Sequence, residues 1–136
     1  MIRVHNDAAG DLRTLAATAP GDAAKLVAFI QQLRADPQLQ TRLHETGFGD
    51  DRSGPIGVKR WHTMRNQTGQ KPVYRLRAWH LEAAGLHYRL LYLYDWTDQS
   101  FNILAVVARQ GFDYDAPNHP VRQRVFACIQ RDFNTA

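Results

Sequence analysis

Three extended runs in quick succession constrain this chain more than any other feature: Val73 to Leu81, Leu86 to Trp96 and Phe101 to Arg109. Each is rich in β-branched, aromatic and leucine residues, and only Glu-Ala-Ala-Gly and Thr-Asp-Gln-Ser separate them. Connections this short make neighbouring strands antiparallel, because a parallel return needs a crossover of a dozen residues or more. The expectation is a three-stranded meander. What precedes it has a helical period. Ile2 to His5 reads as a short strand, and Asn6 or Asp7 can cap a helix carrying Ala8, Leu12, Leu15 and Ala16 up to Pro20. Asp22 can cap a second helix with Ala23, Leu26, Ile30 and Leu33 as its apolar stripe, ended by Pro37. Ala19-Pro20-Gly21 then joins the two as an antiparallel hairpin.

Gly47, Gly49, Gly54, Pro55 and Gly57 mark an irregular segment to about residue 58, part of a basic insertion around 47–72. At the far end Asn118 can cap a closing helix, with Pro120 in its first turn and Val121, Val125, Cys128, Ile129 and Phe133 on one side. The expected fold class is therefore α+β: a short N-terminal strand, a helical hairpin, the antiparallel meander and a C-terminal helix, all in one domain spanning 1–136. With 44% apolar and 22% charged residues the chain has the composition of a folded globule. No run approaches the ~18 apolar residues of a membrane span, and the first residues lack the order of a signal peptide, so a cytoplasmic protein without a membrane partner is expected. Cys128 is the sole cysteine, and no Cys/His pair is spaced like a zinc site, so no disulfide, metal or cofactor is expected.

The charge is uneven. Residues 1–51 carry five Arg/Lys against seven Asp/Glu, whereas 52–136 carry twelve against six, and between 52 and 92 Glu82 is the only acid among eight cations. Fourteen of the seventeen cations are arginine, whose planar fork suits phosphate better than the point charge of lysine. Side-chain alternation puts Arg75 and Arg77 on one face of their strand. If Ala83-Ala84-Gly85 forms a three-residue turn with Gly85 left-handed, Arg77 sits opposite Leu91 and Arg89 joins that face. If Asp95 and Phe101 flank the next turn, Arg89 meets Val107 and His87 meets Arg109, so Arg109 joins them, together with Ile103, Ala105 and Val107. A one-residue slip would break the cluster. Four cations on one side of a small sheet, among apolar neighbours, call for an anion: either acids such as Asp95, Asp113 and Asp115, or a phosphodiester.

The pattern resembles the RelE/ParE superfamily, the toxic halves of bacterial type II toxin-antitoxin pairs, over most of the chain. The residues that carry the resemblance are Leu33-Arg34-Ala35-Asp36-Pro37 closing the hairpin, Tyr74-Arg75-Leu76-Arg77, Tyr88-Arg89-Leu90-Leu91-Tyr92, and Ile103 to Arg109 followed by Phe112-Asp113-Tyr114. The resemblance implies a metal-independent endoribonuclease that cuts messenger RNA, commonly on the ribosome, and is blocked by a cognate antitoxin. It points to Arg75, Arg77, Arg89, Arg109 and Tyr114 as the catalytic set. Guanidinium groups can stabilise the charge that builds up when a ribose 2′-OH attacks the adjacent phosphate. Arginine is a poor general base, so His87 is the expected proton acceptor. Lys59, Arg60, Arg65 and Lys71 are expected RNA contacts. Two other readings stand beside this one: a ParE-like gyrase poison without nuclease activity, and a non-catalytic binding module or co-repressor.

Overall fold

Local signals fix the helices of the computed structural model, which describes residues 1–61, 71–109, 116 and 118–133. Strand β1 (Ile2–Val4) runs into helix α1 (Asn6–Thr18), capped by the His5 imidazole, which accepts from the Asp7 amide. Helix α2 (Pro20–Arg34) follows after Ala19 alone. The expected cap Asp22 instead lies in the first turn, because Pro20, with φ preset and no N–H to satisfy, starts the helix earlier. Asp36 then caps a single turn, α3 (Pro37–Gln40). The closing helix α5 (Pro120–Asp132) is capped by His119 rather than by Asn118.

The sheet has five strands in the order β1-β5-β4-β3-β2, with β1 parallel to β5 and the other pairs antiparallel. Its strands β3 (Val73–Ala78), β4 (Tyr88–Asp95) and β5 (Ser100–Ala108) are the expected meander. Strand β2 (Ile56–Arg60) was not expected: it lies inside the segment read as irregular, as an edge strand against β3. The glycines around it explain both facts. Gly47 and Phe48 bond the outer edge of β2 through Val58, and Gly49, at φ +74°, passes so close to the Ile56 carbonyl that no Cβ would fit.

Strand β3 ends three residues before the expected Leu81, where Trp79–Ala83 forms a helical turn, α4. That turn closes in a Schellman motif: the Leu86 amide bonds the Leu81 carbonyl at 2.8 Å and the Gly85 amide the Glu82 carbonyl at 3.0 Å, with Gly85 at φ +86°. Leu81 and Leu86 bury together in the same cluster. The pairing of β3 with β4 is consequently shifted by two residues, so Arg75 rather than Arg77 faces Leu91. An even shift preserves which face each side chain takes. Between β4 and β5 the turn pairs Asp95 with Ser100, one residue off the expected partner Phe101. A bulge near Leu91/Tyr92 absorbs the difference, so Arg89 still faces Val107 as expected. The same bulge moves Ile103 to the opposite face from Ala105 and Val107.

Helices α1 and α2 cover one face through Ala8, Leu26, Phe29, Ile30 and Leu33, against Val58, Leu76, Leu90, Tyr92 and Ile103. The phenols of Tyr74 and Tyr92 stack across the strands and donate to the carbonyls of His44 and Leu43, tying the segment after α3 to the sheet. Helix α5 covers part of the other face, burying Val125, Cys128 and Ile129 with Val73, Leu91, Leu93, Ala105 and Val107. No helix among the described residues is long and apolar enough to cross a membrane.

Candidate functional site

The face that carries α5 is divided. At one end Lys71, buried, is paired with Asp95 at 3.4 Å and donates to the Phe133 carbonyl at 2.8 Å. At the other end stand the arginines. Lys59 of β2 pairs across the strands with Arg75, and Gly57 with Arg77. One step beyond the last β3/β4 pair, Leu76 and Leu90, come Arg77 and Arg89. The Arg109 amide bonds the His87 carbonyl at 2.8 Å, continuing the β4/β5 ladder. The guanidinium groups sense one another. Burial, then the positive charge of Arg89, with smaller contributions from Arg75 and Arg109, holds Arg77 below the ordinary arginine value; Glu82 partly opposes this.

Glu82 is the residue that organises the cluster. One carboxylate oxygen accepts from Arg89 Nη1 and the other meets His87 Nδ1. Arg89 is 1% exposed; its Nη1 also donates to the Tyr88 carbonyl at 3.1 Å, while Nη2 is buried and meets no hydrogen-bond partner among the described residues. Burial raises the Glu82 pKa, but the His87 hydrogen bond together with the charge and hydrogen bond of Arg89 outweigh it, leaving the carboxyl below its ordinary value. Glu82 is thus an anion at neutral pH. An anion at Nδ1 keeps a proton on that nitrogen and leaves the lone pair of a neutral imidazole on Nε2. His87 is half-exposed.

Two hollows flank this group. One, of about 430 Å³, is bordered by His87, Tyr88, Arg109 and Asp22; the Tyr88 hydroxyl donates to Asp22 at 3.0 Å. The other, of about 180 Å³, is bordered by Lys59, Arg75, Arg77, Asp50 and Trp79. Trp79 is half-buried: its indole N–H donates to the Gly49 carbonyl at 2.9 Å, and its ring lies against Gly57, where a Cβ would come within 2.5 Å of Cζ2. Arg52 lies over that ring at 4.7 Å and Arg77 at 5.9 Å.

Among the expected site residues, Arg75, Arg77, Arg89, Arg109 and His87 share this end of the face, with Lys59 beside them. Arg89 is buried and ion-paired with Glu82. Lys71, expected as an RNA contact, is buried, with its ammonium held by Asp95 and the Phe133 carbonyl. Arg60 is on the α1/α2 side, 6.0 Å over the Tyr74 ring with which it pairs across the strands, and so does not join the cluster. Arg65 and Tyr114 lie outside the described residues. Sequence reasoning missed Glu82, Trp79 and Arg52. The signal for Glu82 was its position as the one acid of the 52–92 stretch, five residues before His87 and seven before Arg89.

Neither a family model nor a curated protein sequence matches this chain. A crystal structure of an archaeal RelE-RelB complex from Pyrococcus horikoshii OT3 is similar over 82% of this chain and 96% of that one, at 17% identity and a TM-score of 0.45.

Proposed function

We propose that this chain is the toxin component of a toxin-antitoxin pair and acts as a metal-independent endoribonuclease on messenger RNA, free or on the ribosome. The observation that supports the reading is that Arg75, Arg77 and Arg109 lie within electrostatic reach of one another at the end of the face that also holds His87, whose Nδ1 meets a carboxylate. In the proposed reaction His87 Nε2 accepts the proton of a ribose 2′-OH and the 2′ oxygen bonds to phosphorus. The P–O5′ bond breaks, the leaving 5′ oxygen takes a proton from water, and the hydroxide so formed recovers the proton held on His87. The products are a 2′,3′-cyclic phosphate and a 5′-hydroxyl. Arg75, Arg77 and Arg109 offer N–H donors to the phosphoryl oxygens, where negative charge builds up, which is the role preorganised cations perform best. Arg89 acts at one remove, fixing Glu82 and through it His87. The partner antitoxin supplies acidic residues over the same face, since burying these cations requires opposite charge.

The test is cleavage of a short RNA by the purified chain, alone and with translating ribosomes, alongside primer extension after expression in cells. Expected are cyclic-phosphate ends, and loss of cutting when the scissile nucleotide is 2′-deoxy. Intact messenger RNA with broken DNA would transfer the chain to the gyrase-poison reading. Expression without toxicity would leave a binding module.

A further inference from the structure

The larger hollow beside His87 reaches round the end of the sheet. Its walls come from both faces: His87 and Arg109 belong to the arginine side, whereas Tyr88 packs against the cluster under α1 and α2. Asp22, in the first turn of α2, borders it as well, and its Oδ2 accepts from the Tyr88 hydroxyl at 3.0 Å. Among the described residues the other Asp22 oxygen meets no donor. Burial, and then the bond to Asp22, raise the Tyr88 pKa above the ordinary phenol value, so the hydroxyl stays a donor and holds the carboxylate in place. Two small residues make the room. Ala108, exposed and paired across the strands with Tyr88, lines the hollow, as does Gly85, at φ +86°, with open space where a Cβ would stand. At about 430 Å³ the hollow falls within the roughly 300–1,000 Å³ range of small-molecule sites, while the 180 Å³ hollow at Trp79 falls below it.

We propose that this hollow takes the nucleobase on the 5′ side of the scissile phosphate, with Asp22 reading its edge and Tyr88 positioning Asp22, an inference that rests on the proposed cleavage. The link is His87. The 2′-OH whose proton it accepts belongs to that same nucleotide, so a ribose seated at His87 brings its base to the space that His87 borders. Arg109, on the same rim, serves the phosphate, and the base reaches past the strand ends to the α2 side. A carboxylate only accepts, so it selects donors. The amino groups of adenine and cytosine fit it, as do the adjacent N1–H and amino N–H of guanine, and a single-stranded base presents that edge freely. Uracil offers one N–H between two carbonyl oxygens, which a carboxylate repels. Asp22 therefore favours bases that carry an amino group over uracil. No bond is made or broken there. The Tyr88 hydroxyl also ties α2 to β4, and a tie that served stability alone would make cutting indifferent to the base.

The probes are a short oligouridylate and the same chain with one central adenosine, cytidine or guanosine, given to the purified full chain. Cutting on the 3′ side of the amino-bearing bases should exceed cutting at uridine by about 10–100-fold in kcat/KM. Versions with 2′-deoxyribose at the central position, which are not cut, should bind in the same order by fluorescence anisotropy. Asp22→Asn keeps an acceptor for Tyr88 and turns N–H donors to the hollow, so the preference should move to uridine. Tyr88→Phe should shrink it by about fivefold. Ala108→Phe fills the hollow and should slow cutting at all four bases by about tenfold or more at unchanged Tm. Equal rates at the four bases, or a preference unaltered in Asp22→Asn, overturns the base site while the nuclease stands. If no RNA is cut, the nuclease reading falls, and the uncut oligonucleotides decide the hollow separately: the amino-base order supports it and equal affinities overturn it.

Discussion

Replacing Glu82 with glutamine tests the centre of the arginine cluster, because it preserves shape and removes one charge. Arg89 is 1% exposed and Glu82 10% exposed, so the pair sits where water offers the guanidinium little compensation. Arg89 Nη2 already has no hydrogen-bond partner among the described residues. Glutamine keeps a carbonyl for Nη1 but leaves a buried positive charge facing Arg77, with Arg75 and Arg109 beyond it. Breaking one side of a buried ion pair costs about 3–5 kcal/mol. Glu82 is reached by some solvent, which places the cost at the lower end, about 3 kcal/mol. At about 2.1 cal/mol/K per residue, a chain of this length unfolds with an entropy of roughly 0.29 kcal/mol/K, so Tm should fall by about 10 °C.

The double variant Glu82→Gln with Arg89→Met removes the uncompensated charge as well. Replacing both members of a buried pair is often neutral, so most of the loss should return and the coupling in the cycle should be about 2 kcal/mol or more. The same double variant separates folding from chemistry. Folded and stable, it still lacks the carboxylate that orients His87, and RNA cleavage should drop by about tenfold or more. Thermal and urea unfolding followed by circular dichroism measure the first effect, and a single-turnover cleavage assay the second. A single variant within about 1 kcal/mol of wild type, or a double variant no more stable than the single, would refute the argument that Glu82 neutralises Arg89.

Arg77→Gln should leave Tm unchanged or raise it, because Arg77 is held among like charges, while cleavage falls by about 10²–10³-fold; a loss of both together would make Arg77 a structural residue. Gly57→Ala should cost about 1–3 kcal/mol, since the new Cβ meets an indole pinned by Gly49 and Arg52, and tryptophan fluorescence should report the displaced ring. Hydrogen bonds from Arg131 and then His5 hold the Asp132 carboxyl down at about 2, against 3.8 ordinarily. A carboxyl lowered by folding adds stability above its unfolded value and loses it as pH falls through the folded one. Asp132→Asn should therefore flatten the decline of Tm between pH 3.8 and 2, and an unaltered acid limb would count against that bond network.

The elements that the sequence made legible are those whose signals are local. Proline and the apolar period placed α2 and α5, and alternation placed the arginines on one face. That inference survived a wrong turn at Ala83-Ala84-Gly85 because the error was of two residues. The odd-numbered error at Asp95 and Phe101 would have been fatal without the bulge near Leu104, which restored parity before Arg89 while sending Ile103 to the other side. A bulge compensates a turn several residues away and leaves no local mark. Strand β2 was hidden for a related reason: it is fixed by partners in β3 and by the Gly47–Phe48 edge bonds, not by its own five residues.

Glu82 shows most clearly how a site can depend on a backbone detail. Had β3 continued to Leu81, Glu82 would have stood at a hairpin end with its carboxylate in water. The helical turn at Trp79–Ala83, locked by Gly85, instead places it between Arg89 and His87. A lone guanidinium buried at Arg89 would be intolerable, and His87 alone would be an unconstrained surface imidazole. The shared carboxylate resolves both, neutralising the buried charge and orienting the imidazole. Arg75 and Arg77, both partly buried, and the exposed Arg109 stand on the same side of the sheet. Like charges gathered this closely repel one another, and partial access to water keeps the cost of that repulsion low.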